Sequence, residues 1–282
     1  MKNFSLFFII ILSSLVFISG CSDKSITVHF IDVGDSLNIT HGDSIFIDTP
    51  EKDVLIDGGE SDKAYLVVEL LKSLNVSKVD YIIATHPHAD HIDGLVDVMR
   101  EFDVREVLYN GQNSSQSAEF DAEMRKHDYS AVKKGDIFNI SDLVYLEVLH
   151  PSEGFRARTG NTGENDMSLV IRLVYGNVSF LFMGDCEKAC NDYLLNSSDV
   201  LDADVIKIGH HCDSSSSSAD FLRAVNPEIA VITPGGHDRW GLPSKECVDR
   251  INQSGIKMYS TADGDVVIVT DGVHINVSEE RN

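Results

Sequence analysis

The sequence predicts a single α/β domain, and three observations lead to that prediction. The chain has 282 residues, of which 43 % are hydrophobic and only six are proline. This composition is typical of a globular core and excludes a disordered or collagen-like chain. Strand-like and helical patterns then alternate along the chain without a proline-rich linker. That order favours sheets covered by helices.

The first half of the chain begins with short strands. Apolar runs at 26–33, 44–48 and 54–57 predict strands, and residues 49–52 between the last two form a turn. Ser61 is a suitable N-cap for a helix over 61–74, where apolar residues recur at helical spacing. The same criteria predict further strands at 80–84, 104–108, 136–140 and 143–149, and helices at 92–102 and 116–127.

The second half opens with a glycine-rich polar loop over 151–166, followed by two strands at 167–175 and 179–183. Gly176 and Asn177 form the tight turn between these strands. The serine run 214–218 favours N-capping of the next helix over a flexible linker. The remaining predictions are helices at 187–195, 216–224 and 244–253, and strands at 203–208, 229–232, 257–259, 265–269 and 273–277.

The chain is strongly acidic. Lys and Arg total 23 against 45 for Asp and Glu, which gives a formal net charge of −22. This balance excludes a broadly basic nucleic-acid binder, because such proteins need a cationic surface. A cation-binding site, a salty environment and simple solubility all remain compatible with it.

The first 20 residues predict export. Residues 4–18 are almost wholly apolar but short for a membrane span, and small residues precede Cys21. This arrangement resembles a lipoprotein signal peptide, in which Cys21 becomes the lipidated first residue; an ordinary signal peptide is the alternative. We therefore predict a signal at 1–20, a linker at 21–25, the catalytic domain at 26–277 and a tail at 278–282. The exported protein is either lipid-anchored to the outer face of the membrane or secreted.

Two further features agree with export. Cysteines at 186, 190, 212 and 247 permit two disulfides with three possible pairings, and free buried thiols are the alternative. Asn-x-Ser/Thr sequons are more frequent than the roughly 2 expected by chance, which predicts N-glycosylation unless composition bias explains them. The sequons of the exported part begin at Asn38, Asn75, Asn113, Asn139, Asn177, Asn196, Asn252 and Asn276.

The strongest chemical signal is the histidine motif, residues 86–91, which reads His-Pro-His-Ala-Asp-His. A pattern H-x-H-x-D-H arises by chance in about two of a thousand such chains. The motif follows the predicted strand 80–84 and therefore lies on a loop at a sheet edge, where ligands commonly bind. Imidazole and carboxylate groups at this spacing can converge on metal ions. A solvated polar loop is the alternative.

The motif resembles that of the metallo-β-lactamase superfamily, and the wider match is similar to the hydrolase domain of ComEC-type competence proteins. The resemblance implies an αββα sandwich with a two-metal site along one edge of the two sheets. The matching segments, in the family's order, are Phe30-Ile31-Asp32-Val33-Gly34, Gly42-Asp43-Ser44, Leu55-Ile56-Asp57-Gly58-Gly59, residues 85–91 with Gly94, Leu149-His150-Pro151, Asn165-Asp166-Met167-Ser168, Met183-Gly184-Asp185, Gly209-His210-His211, the serine run, and Gly241 with Pro243.

The resemblance also implies a ligand set. It assigns the first metal to His86 and His88, and the second metal to Asp90 and His91. Asp185 bridges the two metals, and one histidine of the pair 210–211 completes the second site, with His210 expected rather than His211. His150 and Asp166 are candidates for the third ligand of the first metal, or for residues that hold the ligands in place. Asp57 and Asp32 are candidates for groups that orient the ligands or the loop.

Two cations about 3.5–4 Å apart can lower the pKa of a water between them and polarise a carbonyl or phosphoryl group. Asp90 is a candidate proton acceptor in that reaction. Mixed carboxylate and imidazole ligation suits zinc, and also manganese or iron. Cys212 is next to the histidine pair but is expected to be half of a disulfide or a structural thiol rather than a ligand.

The sequence departs from the family on the substrate side. An insertion lies within residues 35–41, and the family's His-His-Gly-Ser becomes His210-His211-Cys212-Asp213. Leu242 replaces a family histidine, and His237 of the same loop is a candidate replacement, with a plain surface histidine as the alternative. Asp213 and His237 are thus the candidate residues on the substrate side.

The favoured function is a metal-dependent hydrolase that cleaves phosphodiesters. An esterase or lactonase acting on small extracellular compounds is the alternative enzyme, and a metal-containing surface-binding lipoprotein is the alternative without catalysis. Tight binding of duplex nucleic acid is not expected of so acidic a chain. The cofactors expected are two divalent ions, zinc or manganese.

Overall fold

The computed structural model describes residues 25–34, 42–114, 116–157, 161–234 and 241–280. The predicted signal with Cys21, and the insertion at 35–41, lie outside these residues. The strands are β1 (Ile26–Phe30), β2 (Ile45–Asp48), β3 (Val54–Ile56), β4 (Lys78–Ala84), β5 (Asp103–Tyr109), β6 (Asp128–Ala131), β7 (Ile137–Asn139), β8 (Val144–His150), β9 (Val170–Tyr175), β10 (Val178–Phe182), β11 (Val205–Lys207), β12 (Ile229–Ile232), β13 (Lys257–Ser260), β14 (Asp265–Thr270) and β15 (Ile275–Glu280). The helices are α1 (Ala64–Ser73), α2 (Ala89–Ile92), α3 (Leu95–Glu101), α4 (Ala118–Met124), α5 (Asn161–Asn165), α6 (Lys188–Leu195), α7 (Ala219–Val225) and α8 (Lys245–Gln253).

The strands form two sheets that pack face to face. The eight-stranded sheet has the order β15-β14-β1-β2-β3-β4-β5-β6, and the seven-stranded sheet has the order β13-β12-β11-β10-β9-β8-β7. One buried apolar cluster takes side chains from both sheets, including Phe30 of β1 and Phe182 of β10, whose rings lie 6.2 Å apart. The main core therefore lies between the sheets, as in other two-sheet packings.

Helices cover the outer face of each sheet. Residues of α1, α3 and α4 share a second buried cluster with β3, β4 and β5. Residues of α6, α7 and α8 share a third with β10, β11 and β12. The layers are thus helix, sheet, sheet and helix, which confirms the predicted αββα sandwich.

Several predicted elements differ in detail. The helix predicted to start at Ser61 begins at Ala64, and its N-cap position is Lys63, so the capping prediction for Ser61 is wrong. The prediction for the serine run is confirmed, because the Ser218 hydroxyl accepts a hydrogen bond from the backbone N–H of Phe221 at the start of α7. The polar loop 151–166 contains the short helix α5, and β15 continues to Glu280, three residues into the predicted tail.

The four cysteines that follow Cys21 form two disulfides, Cys186–Cys190 and Cys212–Cys247. The prediction of two disulfides is confirmed, and Cys212 is half of a disulfide as expected. Seven of the eight sequon asparagines lie in described segments, and all seven are exposed. Within the described segments, no helix has the length and apolar character needed to cross a membrane.

Candidate metal centre

The histidine motif lies where β4 ends and α2 begins. β4 is a buried parallel strand between β3 and β5, so the chain leaves the sheet at its carboxyl edge. His86 and His88 lie in the connection, and α2 carries Asp90 and His91. The predicted loop is therefore a short connection followed by a helical turn. That turn directs His91 back toward the strand ends.

Asp57, just after β3, fixes the imidazoles of this side. Its carboxylate accepts hydrogen bonds from the backbone N–H of Thr85 (2.8 Å) and from the Thr85 hydroxyl (2.7 Å). The same carboxylate lies 2.7 Å from Nδ1 of His91, and Nδ1 of His86 lies 3.1 Å from the Thr85 hydroxyl oxygen. These contacts hold the Nδ1 proton on both rings and leave Nε2 for a metal. Asp57 thus lies where it can orient the ring of His91, the kind of role that the sequence suggested for it.

Close backbone packing holds α2 against the strand ends. The N–H of Gly58 donates to the carbonyl of His91 (2.7 Å), and the N–H of Gly94 donates to the carbonyl of Gly59 (2.8 Å). A Cβ atom on Gly94 would lie 1.9 Å from the carbonyl oxygen of Gly58. Only glycine fits there, which gives a physical reason for two of the matched segments.

The seven-stranded sheet supplies the other side. Asp185 follows β10, and its backbone N–H donates to the Ser168 hydroxyl (3.0 Å). His211 follows β11 in a turn over His210–Cys212. Its Nδ1 lies 3.0 Å from the carbonyl oxygen of Thr233 after β12, and a carbonyl can only accept. Nδ1 therefore carries the proton, and Nε2 faces the site.

The two sides meet in two groups of ligand atoms that share Asp185. The first group is His86, His88 and Asp185, and the second is Asp90, His91, Asp185 and His211; within each group the ligand atoms lie within 4.8 Å of one another. Oδ2 of Asp185 is 3.7 Å from Nε2 of His86 and 3.3 Å from Nε2 of His91. One carboxylate thus faces both groups.

The charges of the second group are strongly coupled. Burial lowers the pKa of His91, but the carboxylates of Asp185, Asp90 and Asp57 more than offset it and hold that pKa well above its usual range. Burial raises the pKa of Asp185. The neighbouring imidazoles, His91 above all, more than offset that effect and hold the pKa of Asp185 well below its usual value. A proton on His91 thus balances the carboxylates, and a divalent cation would take over that role.

The residues present fit divalent cations. The Oδ1 atom of Asp185 is buried and has no hydrogen-bond partner among the described residues, although burying such an atom is costly. Imidazole nitrogens and carboxylate oxygens converge in both groups. Such a donor set suits zinc and other first-row metals.

A third acidic group is neutralised by the protein itself. Asp43, Asp57 and His91 also bring ligand atoms within 4.8 Å of one another. The ammonium of Lys207, at the end of β11, donates to the Asp43 carboxylate and to the carbonyl of Gly184 (3.1 Å). Both charged side chains are almost fully buried. The lysine supplies the cation here, so we assign no metal to this third group.

The expected choice of His210 over His211 is corrected by this geometry. His211 is fully buried and its Nε2 lies 3.3 Å from Asp90 and 3.6 Å from Asp185. His210 is 25 % exposed, lies 4.0 Å from Asp185, and directs Nδ1 toward Glu187 at 3.2 Å. The left-handed backbone of the turn brings the second histidine inward and leaves the first at the rim.

Neither candidate for a third ligand of the first metal joins the site. Nε2 of His150 donates to the backbone carbonyl of Asp166 (2.8 Å), and its ring packs against Phe155 and Tyr193. The Asp166 carboxylate accepts from the N–H of Cys190 (2.9 Å) near the start of α6. Burial lowers the pKa of His150 to about 4, which keeps its ring neutral.

The other predicted residues also lie outside the two groups. The backbone N–H of Asp32 donates to Asp265 (2.8 Å), so this segment is tied to β14. The carboxylate of Asp213 accepts from the N–H of Ser215 (2.7 Å) and shapes the serine run. His237 lies outside the described residues.

The mouth of the site contains its more exposed side chains. Asp90 is 16 % exposed and His88 10 %, whereas His86, His91 and His211 are fully enclosed. Glu164 lies 3.0 Å from Nε2 of His88 and is 25 % exposed, like His210. Solvent therefore reaches the site past these four groups.

Several supporting residues were not predicted. Asp43 lay in a matched segment without a role, and Lys207 was part of an apolar strand run; a lysine inside such a run is the signal that could have identified it. Glu164 lies at the mouth, and Glu187 and Asn165 are buried beside His210, where Asn165 donates to Glu187 (2.7 Å). Nothing in their spacing links them to the histidine motif.

The chain was compared with known proteins. The model of a family described as the Metallo-beta-lactamase superfamily matches residues 37–237. The chain is 27 % identical over 269 residues to ComE operon protein 3 of Bacillus subtilis (strain 168), covering 88 % of this chain and 33 % of that protein. It therefore spans about a third of the length of that relative.

Two more relatives extend the comparison. Exodeoxyribonuclease WalJ of Streptococcus pneumoniae serotype 2 is 27 % identical over 177 residues, covering 60 % of this chain and 62 % of that protein. The crystal structure of YhfI, a metallo-beta-lactamase fold protein from Bacillus subtilis, matches with a TM-score of 0.57 at 9 % identity, covering 90 % of this chain and all of that one. At that identity the structural match is evidence for the fold alone.

Proposed function

The chain belongs to the metallo-beta-lactamase superfamily, and we propose that this hydrolase cleaves phosphodiester bonds with two divalent metal ions. The observation that carries the proposal is the shared Asp185, whose Oδ2 faces both ligand groups. A carboxylate between two sets of donors is the arrangement that two-metal hydrolysis requires.

The choice of substrate class rests on the relatives. One relative is named an exodeoxyribonuclease, and another is ComE operon protein 3. Nuclease chemistry is phosphodiester hydrolysis, which two cations promote by neutralising the charge that develops on phosphate oxygens. The acidic chain disfavours tight duplex binding, so we propose single-stranded or small phosphodiester substrates.

The residues have distinct roles in this proposal. His86 and His88 would hold one ion, and Asp90, His91 and His211 the other, with Asp185 shared. When bound, the ions supply Lewis acidity and an activated water. Asp90 is the most exposed carboxylate of the two groups, which suits it to accept a proton from a water entering at the mouth. His210 and Glu164 lie where a substrate would enter. Zinc or manganese fits the mixed donors.

Phosphodiester turnover tests the proposal. The purified full chain, loaded with zinc or manganese, is assayed on bis-p-nitrophenyl phosphate, single-stranded DNA and p-nitrophenyl esters. We expect phosphodiester turnover that the variant Asp90→Asn abolishes. The exposed Asp97→Asn on α3 is the matched control and keeps full activity. Turnover of esters alone contradicts the proposal and favours an esterase or lactonase.

We also propose that the protein is exported and held at the membrane by a lipid on Cys21. The apolar segment before Cys21, the two disulfides and the exposed sequons support this placement. Membrane fractionation of a Cys21→Ser variant is the test. Release of the variant from the membrane fraction is expected, and unchanged retention contradicts the lipid anchor.

A further inference from the structure

The turn that carries His211 has a strained backbone. Three consecutive residues that are not glycine have positive φ angles, His210 at 47°, His211 at 48° and Cys212 at 67°. L-residues avoid this region because Cβ approaches the carbonyl oxygen too closely. Such strain persists only where the surrounding structure holds the backbone in place.

Helix α8 provides that restraint. A disulfide joins Cys212 to Cys247 of α8, 35 residues later in the chain, and both cysteines are fully buried. The carbonyl of Cys212 also accepts from the N–H of Ser244 at the helix N-cap (2.9 Å). The Arg250 guanidinium donates to the carbonyls of Ser214 (3.0 Å) and Ser216 (2.8 Å). One helix thus holds the turn and the serine run behind it.

We propose that Cys212 and Cys247 are positioning residues of the metal centre. Their disulfide holds the left-handed turn so that Nε2 of His211 faces Asp90 and Asp185. Without it, the backbone at 212 relaxes toward its ordinary right-handed or extended conformation, and His211 leaves the second group. The first group has no member in this turn and keeps its ion. The inference rests on the two-metal centre proposed above.

Metal binding by disulfide variants is the test. Zinc stoichiometry and affinity are measured by competition with a chromophoric chelator for the full chain and for C212S/C247S, with cobalt(II) absorption as a second probe of the ligand set. We expect the wild-type protein to bind two ions. The serine variant should bind one with unchanged affinity and the second at least about tenfold more weakly.

Two further variants distinguish a loss of the positioning of His211 from a general loss of stability. C212G/C247S should regain part of the lost affinity, since glycine adopts a φ of 67° without steric cost. Ile251→Ala truncates a buried residue of α8 but leaves the disulfide intact. It should lower the melting temperature and leave both affinities unchanged.

The outcomes are distinguishable. If C212S/C247S binds two ions as the wild-type protein does, or if the glycine variant binds as weakly as the serine variant, the positioning role is wrong while the proposed function stands. If the wild-type protein binds no metal, the proposed function and the positioning role both fail. If the serine variant does not fold, C212G/C247S is compared with the wild-type protein and with Ile251→Ala. Weaker binding of the second ion by C212G/C247S alone supports the positioning role, and wild-type binding of both ions contradicts it.

Discussion

The two sides of the metal centre hold their ligands by different means. On the eight-stranded side, Asp57 contacts His91 directly and reaches His86 through the Thr85 hydroxyl, and close packing of glycines holds α2 in place. On the seven-stranded side, each ligand residue is followed by a disulfide-bonded cysteine, Asp185 by Cys186 and His211 by Cys212. One side is thus held by hydrogen bonds and close backbone packing between segments 57–59 and 85–94, whereas disulfides reinforce the other.

The largest effect is expected where the two sides meet. Asp185→Asn removes the carboxylate that both groups share, so neither group keeps a complete donor set. We expect phosphodiester turnover to fall by about a thousandfold or more, with metal content reduced from two ions per chain to one or none. Turnover assays and elemental analysis measure both quantities. The exposed Asp202→Asn is the matched control, and retention of two ions by Asp185→Asn would show that Asp185 is not shared.

The second-largest effect is expected for the ion pair between Lys207 and Asp43, which joins the two sides of the site. Lys207→Met leaves the carboxylate of Asp43 buried without its cation. We expect a loss of about 3–5 kcal/mol in the free energy of unfolding, measured by urea denaturation. The double variant D43N/K207M should recover most of that loss. A change below about 1 kcal/mol in the single variant would mean that water reaches Asp43.

The two disulfides should differ in their contribution to stability. Cys212 and Cys247 close a loop of 35 residues, whereas Cys186 and Cys190 are only four apart. Chain entropy predicts losses of about 4 and about 2 kcal/mol in the free energy of unfolding for the respective double serine variants. Denaturation of both variants under identical conditions measures the difference. Equal losses would indicate that the unfolded chain is already compact.

The smallest effect is expected from a change of hydrogen bonding on the eight-stranded side. Asp57→Asn keeps the shape of the side chain but presents an amide to Nδ1 of His91, which moves the ring proton to Nε2. We expect metal affinity to fall by about 10–100-fold, with both disulfides intact. Chelator competition measures the affinity. An unchanged affinity would show that the tautomer of His91 does not depend on Asp57.

The same contrast explains what the sequence could predict. The histidine motif puts four candidate ligands within six residues, so its spacing indicated a metal site, and the resemblance to the family added Asp185. The strands and layers followed from apolar runs and their alternation with helices. Both signals come from residues close together in the sequence, and the histidine motif itself lies on the eight-stranded side.

The rest depends on contacts between distant segments. Asp43 and Lys207 are 164 residues apart, and the partner of Cys212 depends on where α8 packs. The choice between His210 and His211 depends on a left-handed turn that the residue types themselves disfavour, so neither the resemblance nor propensity identifies the histidine that faces the site. His150 and Asp166 have the right chemistry, but they face α6 rather than the ligand groups.

The central claim is that both sides together hold two metal ions on a shared carboxylate. Anomalous diffraction from crystals of the metal-loaded protein tests it most directly. We expect two peaks, one among His86, His88 and Asp185 and the other among Asp90, His91, Asp185 and His211. A single peak, no peak, or a peak coordinated by His210 in place of His211 would contradict it.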